Sequence, residues 1–260
     1  MKSILTFVSA LILSTAVVSC TSDEAPDNND NNQVEEIKDT AFVKTFTIKS
    51  EDSLDMTVDQ YHINNDKPVI ILCHQAGWSR GEYIGIAVTL NELGFNCVAL
   101  DQRSGRAING VINQTAANAQ AEGKGQSFLD AEQDIRAVIA NFSAEYKQNV
   151  ILWGSSYSSS LALKIAAEND KVDKVLSFSP GEYLTSESVA TAVKALDKPS
   201  FLTSSKSEAG QTKAIFDNIK SADKTQFIPT GAGRHGSSAL WTSEGDNAEY
   251  WVAVKVFLGV

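Results

Sequence analysis

A short serine-rich segment contains the residues with the most direct chemical potential. Val150 to Trp153 is a continuous apolar run, typical of a strand buried on both faces, and Gly154-Ser155-Ser156-Tyr157-Ser158 follows it directly. A strand that turns sharply into a helix through small residues is the context of the G-x-S-x-G nucleophile elbow, where the central hydroxyl projects alone. Gly154 takes the first glycine position, Ser156 the nucleophile position, and Ser158 replaces the second glycine. The alternative is a serine that merely caps the following helix.

Alternating strand and helix patterns surround this turn and must position it. Eight runs have the length and residue types of strands, and they cover residues 42–49, 55–63, 68–73, 95–100, 149–153, 172–178, 199–204 and 225–229. Helical periodicity falls at residues 83–93, 129–142, 161–167, 209–219 and 249–257. Strands joined by such helices form right-handed crossovers and a mostly parallel sheet, so we expect one α/β domain over residues 41–260. Residues 102–126 are predicted to form a long polar loop without the apolar helices of a lipase lid.

Three segments together resemble the α/β-hydrolase superfamily. They are the elbow, the loop His74-Gln75-Ala76-Gly77, which resembles the H-G-x-G oxyanion loop with Gln75 in place of glycine, and residues 93–105, which resemble the next strand and its D-x-R-G-type turn. The resemblance covers essentially all of residues 42–260, and small lidless dienelactone-hydrolase-like esterases are nearest in size. It implies an α/β-hydrolase fold, with a mostly parallel eight-stranded sheet, helices on both faces and no large lid.

The partners of the serine follow from the order that this fold imposes, which is nucleophile, acid, histidine. A serine hydroxyl is a weak nucleophile until an imidazole accepts its proton. His62 and His74 precede the elbow, so His235, in a glycine-rich loop near the C-terminus, is the predicted base. Sites in parallel sheets gather at the carboxyl ends of the strands. Glu208 follows the seventh strand-like run at that end and is the predicted acid, with Glu182, one strand earlier, as the alternative.

The remaining site predictions concern the oxyanion hole. The resemblance implies that the backbone N–H of Tyr157 and one N–H from the 74–77 loop, Ala76 with Gln75 as the other candidate, hold the oxyanion. Trp78 adjoins these residues and either lines an acyl pocket or packs in the core. Water resolves the acyl-enzyme in such a mechanism, so we expect no metal and no cofactor.

The N-terminus is predicted to be a targeting segment rather than part of the folded domain. Residues 1–19 have the charged start and apolar stretch of a signal peptide. Val17-Val18-Ser19-Cys20 resembles the lipobox of bacterial lipoproteins, which implies cleavage before Cys20 and a lipid anchor on its sulfur; the alternative is a plain secretory signal cut near Ala16. Residues 20–40 form an acidic, solvated tether. We therefore expect an envelope lipoprotein of the outer membrane, and the acids after Cys20 resemble a surface-export signal.

Composition narrows the function classes further. The formal charge of −10 argues against a nucleic-acid binder, and three Cys and three His are too few and scattered for a zinc site or a disulfide framework. The favoured function is a serine esterase acting on a small-molecule ester outside the cytoplasm. A non-catalytic surface or binding lipoprotein that kept the fold is the alternative, since fold alone does not prove activity. A peptidase of the same fold is a third interpretation.

Overall fold

The structure, a computed structural model, describes residues 40–260. The predicted signal peptide, Cys20 and all but the last residue of the predicted tether lie outside the described residues. Within them, no helix is both long enough and apolar enough to cross a membrane.

One large sheet organises the described chain. Its strands and a separate small hairpin are, in chain order, β1 (Phe42–Lys49), β2 (Asp55–His62), β3 (Val69–Cys73), β4 (Asn96–Leu100), β5 (Ala107–Ile108), β6 (Val111–Ile112), β7 (Val150–Ser155), β8 (Val172–Phe178), β9 (Ser200–Thr203) and β10 (Lys224–Phe227). The sheet has eight strands in the order β1-β2-β4-β3-β7-β8-β9-β10, and β5 pairs only with β6. From β4 to β10 every pairing is parallel, while β2 pairs antiparallel with both β1 and β4. The predicted mostly parallel sheet is confirmed.

Helices cover both faces of this sheet. They are α1 (Ile84–Glu92), α2 (Gln114–Ala121), α3 (Glu132–Glu145), α4 (Tyr157–Glu168), α5 (Val189–Ala192), α6 (Ala209–Phe216) and α7 (Asn247–Leu258). Alternate residues of β3 enter two separate cores: Ile71 packs with the apolar side chains of α3 and α4, and Ile70 packs with those of α1 and α7. This two-sided burial explains the continuous apolar runs of the central strands.

The prediction of a long polar loop over residues 102–126 was wrong, because this segment contains the β5-β6 hairpin and α2. Helix α2 buries only the small residues Thr115, Ala116 and Ala119, so no stripe of large apolar side chains announces it. Its start is fixed instead by the Asn113 side chain, which accepts a hydrogen bond from the N–H of Ala116 at 2.8 Å.

The parallel register brings the strand ends to one edge. Cys73 lies beside Gly154 on the neighbouring strand, Ser155 beside Phe178, and Phe178 beside Thr203. The segments that leave β3, β7, β8, β9 and β10 therefore start at similar heights, as required of a site built at the carboxyl ends of parallel strands.

Candidate active site

The turn between β7 and α4 has the backbone of a nucleophile elbow. Ser156 lies at φ 58° and ψ −125°, a conformation that non-glycine residues rarely adopt and that stores strain. A side chain on Gly154 would meet the carbonyl oxygen of Ser158 at 2.3 Å, so only glycine lets α4 pass this close to the strand. The Ser156 hydroxyl makes no capping hydrogen bond to α4. The geometry therefore does not support the alternative in which this serine only caps the helix.

Three side chains from three strand ends meet at this turn. His235 Nε2, in the loop after β10, lies 2.8 Å from Ser156 Oγ, and His235 Nδ1 lies 2.5 Å from Glu208 Oε1, in the turn after β9. Such a chain of nucleophile, imidazole and carboxylate is the arrangement needed to move a proton off the serine. The structure thus brings together the predicted nucleophile, base and acid.

Hydrogen bonds hold the Glu208 carboxylate in place. Its Oε2 accepts from the hydroxyls of Ser205 at 2.7 Å and Ser179 at 3.0 Å, which leaves Oε1 facing His235. Burial raises the pKa of Glu208, but the hydrogen bonds from His235, Ser205 and Ser179 outweigh it and lower that pKa to about 2. The carboxylate is therefore ionised across the neutral range.

The other residues considered for these roles lie elsewhere. Glu182 accepts hydrogen bonds from the N–H groups of Val189 at 2.7 Å and Ala190 at 2.9 Å, and so caps α5 instead of facing the imidazole. His74 is fully buried, and burial lowers its pKa to about 4 despite hydrogen bonds to backbone groups. It is a neutral ring that braces its own loop. His62 lies on β2, with its Nδ1 2.9 Å from the hydroxyl of Tyr146.

The backbone donors near the serine are divided between two tasks. No residue between 40 and 260 accepts a hydrogen bond from the N–H of Tyr157 or of Ala76, so both remain available to an oxyanion. The N–H of Gln75, the other predicted donor, is instead donated to Glu82 Oε2 at 2.8 Å. The Ser158 hydroxyl lies 2.7 Å from the carbonyl oxygen of Cys73, which ties the elbow to the strand before the oxyanion loop.

Two polar residues of the site were not predicted from the sequence. Ser179, at φ 57°, donates to Glu208 and accepts from the N–H of Gly236 at 2.9 Å, so it links the acid to the histidine loop. Glu82 is buried beneath the oxyanion loop. A serine after a strand and an acid at a helix start are common, and neither carries a sequence signal that separates it from ordinary turn chemistry.

Two cavities lie beside the oxyanion loop and the start of α4, and both are lined by Gln126 and Phe128. The Phe128 ring stacks on Tyr157 with centroids 4.2 Å apart. The larger, about 670 Å³, is lined by Ala76, Gly77, Trp78, Ser104, Gly105, Arg106, Gln126 and Phe128. The smaller, about 260 Å³, is lined by Gln126, Ser127, Phe128, Leu129, Tyr183 and Thr185. Burial raises the pKa of Tyr183, whose hydroxyl donates to the carbonyl oxygen of Ser179 at 3.3 Å and accepts from the Gln211 side chain at 3.4 Å. Trp78 lines the larger cavity, is half-buried and stacks on Trp241 with ring centroids 5.3 Å apart, but it belongs to neither apolar core of the described chain.

In the part of the chain that the structure describes, no group of three or more His, Cys, Asp or Glu side chains is arranged to hold a metal ion. The polar groups that converge on Ser156 are those of acyl transfer, namely a base, its carboxylate and free backbone N–H donors.

Comparison with solved structures places the fold. An esterase from Pyrococcus furiosus is 15% identical with a TM-score of 0.64, and the match covers 84% of this chain and 91% of the esterase. A dienelactone hydrolase from Anabaena variabilis is 12% identical with a TM-score of 0.67, covering 85% and 98%. An esterase domain of a Rhodothermus marinus protein is 13% identical with a TM-score of 0.57, covering 83% and 97%. The predicted α/β-hydrolase fold is confirmed.

Comparison of the sequence with curated proteins and with protein-family models identifies one family. No curated protein matches the chain. The family described as serine aminopeptidase, S33, matches residues 64–225, which include the oxyanion loop, the elbow and Glu208. Since this match spans more than half of the sequence, the chain belongs to the serine aminopeptidase S33 family of hydrolases.

Proposed function

We propose that this protein is a serine hydrolase that cleaves carboxylic esters through an acyl-enzyme at Ser156. The observation that carries the proposal is the hydrogen-bonded chain from Ser156 through His235 to Glu208. His235 takes the hydroxyl proton as Ser156 attacks the ester carbonyl and then gives it to the leaving alkoxide. Glu208, ionised because its pKa is about 2, keeps the Nδ1 proton facing it and stabilises the imidazolium. Water then resolves the acyl-enzyme by the same steps.

The tetrahedral intermediate needs donors for its oxyanion. Tyr157 N–H, in the first turn of α4, and Ala76 N–H, in the loop after β3, are the groups that the proposal assigns to it. Loss of one such donor typically costs about 10²–10³ in turnover. The Ser158 hydroxyl supports this pairing, because it joins the elbow to the carbonyl end of β3 from which the Ala76 loop departs.

The lining of the two cavities supports an ester over a free amino terminus as the substrate. An aminopeptidase must hold a substrate ammonium, and carboxylates are the groups that pair with one. Among the described residues that line the two cavities none is Asp or Glu, and Arg106 contributes an exposed guanidinium that repels a cation. The apolar rings of Phe128 and Trp78 suit the acyl or alcohol part of a small-molecule ester.

We further propose that this activity lies outside the cytoplasm. The signal-peptide pattern of residues 1–19 and the lipobox-like Val17-Val18-Ser19-Cys20 support export and a lipid on Cys20, with the acidic segment 20–40 as a spacer from the outer membrane. A lipid-anchored hydrolase would meet substrate esters at or beyond the membrane surface.

The experiment that tests the activity combines a covalent probe with a substrate series. A fluorophosphonate should label wild type and the exposed-serine control Ser186→Ala equally, and should fail on Ser156→Ala. p-Nitrophenyl esters of increasing chain length should be hydrolysed by the two labelled proteins only. Labelling that survives Ser156→Ala would refute the nucleophile, absence of both labelling and turnover would favour a binding protein, and turnover of amino-acyl p-nitroanilides in place of esters would favour a peptidase.

A further inference from the structure

A buried carboxylate that the triad does not use lies directly behind the active site. Glu82, in the turn before α1, is only 1% exposed, and no Lys or Arg side chain among residues 40–260 forms an ion pair with it. Its Oε2 accepts from the N–H of Gln75 at 2.8 Å, and its Oε1 accepts from the hydroxyl of Ser155 at 2.7 Å. Acids are almost never fully buried without a cationic partner, so this arrangement needs a reason.

The two hydrogen bonds connect the three loops of the site. Gln75 belongs to the oxyanion loop and Ser155 to the elbow. The Ser155 oxygen in turn accepts from the N–H of Ser237, two residues beyond the catalytic histidine, at 2.8 Å. A side chain on Gly236 would meet that same oxygen at 2.5 Å, which shows how tightly the histidine loop packs on this network. One carboxylate therefore joins the oxyanion loop, the nucleophile turn and the base loop.

The protonation of Glu82 is coupled to these contacts. Burial raises the pKa of Glu82 to about 7, while hydrogen bonds from Ser155 and Gln75 and the charge of His235 lower it. The donors point at the carboxylate, so an added proton would have no acceptor there unless Ser155 turned its own proton away. The hydrogen-bond network is therefore complete only when Glu82 is ionised.

The charge of the Glu82 carboxylate acts on several titratable side chains around it. Among the described residues, the titratable groups that interact electrostatically with Glu82 include Cys73, Tyr83, Tyr157 and His235. Burial raises the pKa of the Cys73 thiol and of both phenols, so these three stay neutral. Of these four groups only His235 becomes a cation, and it does so while it holds the proton of the nucleophile.

We propose that Glu82 is a positioning residue for the reaction: it holds the Gln75 N–H so that the Ala76 N–H is left for the oxyanion, and its charge stabilises the His235 imidazolium from behind. This inference rests on the proposed function, since both effects matter only if His235 is the base. Glu208 fixes the ring through direct contact, whereas Glu82 acts through Ser155 and Ser237 and through the field of its charge.

The first test does not depend on turnover. The ring signals of His235 are followed by NMR against pH in the full-length protein, with His235→Ala to assign them among the three histidines. Glu82→Gln should move the titration midpoint to lower pH than in wild type, because an anion near the imidazole is lost. Glu92→Gln, which removes the same charge from the exposed end of α1, should leave the midpoint in place. An unchanged midpoint in Glu82→Gln would overturn the electrostatic role.

The second test separates positioning from substrate binding. Glu82→Gln should lower kcat for a p-nitrophenyl ester by about tenfold with KM changed less than twofold, a fraction of the loss of a whole oxyanion donor. Equal kcat in Glu82→Gln and wild type would overturn the inference while the proposed function stands. A wild type that fails to label at Ser156 would remove the proposed function, and a midpoint that still moves would then leave only the charge coupling between Glu82 and His235.

Discussion

The stability of the protein should report the unusual state of Glu82 without any substrate. Replacing Glu82 by glutamine keeps the shape of the side chain and removes its ability to ionise. We expect the free energy of unfolding of Glu82→Gln, relative to wild type, to rise steadily as the pH is raised from 5 to 8. A residue that merely filled space would show no such trend, because neither its contacts nor their loss would depend on pH.

The size of the effect follows from the two pKa values. Burial raises the pKa of Glu82 to about 7, against 4.5 for an unperturbed glutamate. Between these values the folded state binds more protons than the unfolded state, so wild-type stability falls as the pH rises from 4.5 through 7 and levels off above. Each pH unit in this window is worth about 1.4 kcal/mol, which gives about 3 kcal/mol in total, most of it between pH 5 and pH 8. The variant has no proton to lose there.

The measurement is urea unfolding of wild type, Glu82→Gln and the exposed control Glu92→Gln at half-unit steps from pH 5 to pH 8. Equal m-values in the three proteins would show that the same surface is exposed in each unfolding reaction. In thermal unfolding the expected difference corresponds to about 5–10 °C for a domain of this size. Curves of wild type and Glu82→Gln that stay parallel across the range would refute the reasoning, since Glu82 would then titrate alike in the folded and unfolded states.

The remaining predictions address the acid and the anchor. Glu208→Gln should keep the fold and lower kcat by about 10⁴, the cost of the comparable change in a serine protease, because an amide cannot stabilise the imidazolium. Glu182→Gln should leave kcat close to wild type, since Glu182 caps α5; the reverse ranking of these two variants would move the acid to β8. Mass spectrometry of the native protein should find the chain starting at an acylated Cys20, and a mature N-terminus at any other residue would remove the anchor.

The central strands could be predicted because burial on two faces produces continuous apolar runs in the sequence. A central parallel strand is buried on both faces and is therefore mostly apolar, so Val69–Cys73 and residues 97–100 of β4 stand out as continuous apolar runs. The elbow could be predicted for a related reason, since close packing of α4 forbids a side chain at Gly154. In both places a local steric rule leaves few residue types to choose from.

Helices α2 and α5 depend on contacts with distant segments and have no comparable pattern in the sequence. Helix α2 buries small residues against β2, and the N–H of Thr57 donates to the hydroxyl of Thr115 at 2.9 Å. Helix α5 is four residues long and begins where Glu182 caps it, so it has too few residues to show a period. Neither can be recognised until the chain has folded around it.

The contacts of Ser158 and Gln75 explain why these residues can replace the glycines of the family motifs. Ser158 replaces a glycine, yet its hydroxyl lies 2.7 Å from the carbonyl of Cys73 and accepts from the N–H of Ser155 at 3.1 Å. Gln75 also replaces a glycine, and its side-chain oxygen would lie 3.2 Å from any side chain placed on Gly236. The two larger residues thus fill the space between the elbow, the oxyanion loop and the base loop, and Gly236 has no side chain because that space is taken.

Two Ser-x-x-Glu patterns show how one sequence spacing yields different chemistry. Serine followed three residues later by glutamate is the signature of a capping box, in which the carboxylate reaches back to the backbone N–H of the serine. At Ser205 this happens: Glu208 Oε2 accepts from the Ser205 N–H at 3.2 Å and from its hydroxyl, which leaves Oε1 aimed at His235. At Ser79 the turn is capped by the serine alone, and Glu82 turns away to the neighbouring loops. The difference lies in the surroundings. Glu208 lies in a half-exposed turn, where its hydrogen bonds to Ser205 form. Glu82 is buried next to the Gln75 N–H and the Ser155 hydroxyl, which belong to other loops and donate to its carboxylate.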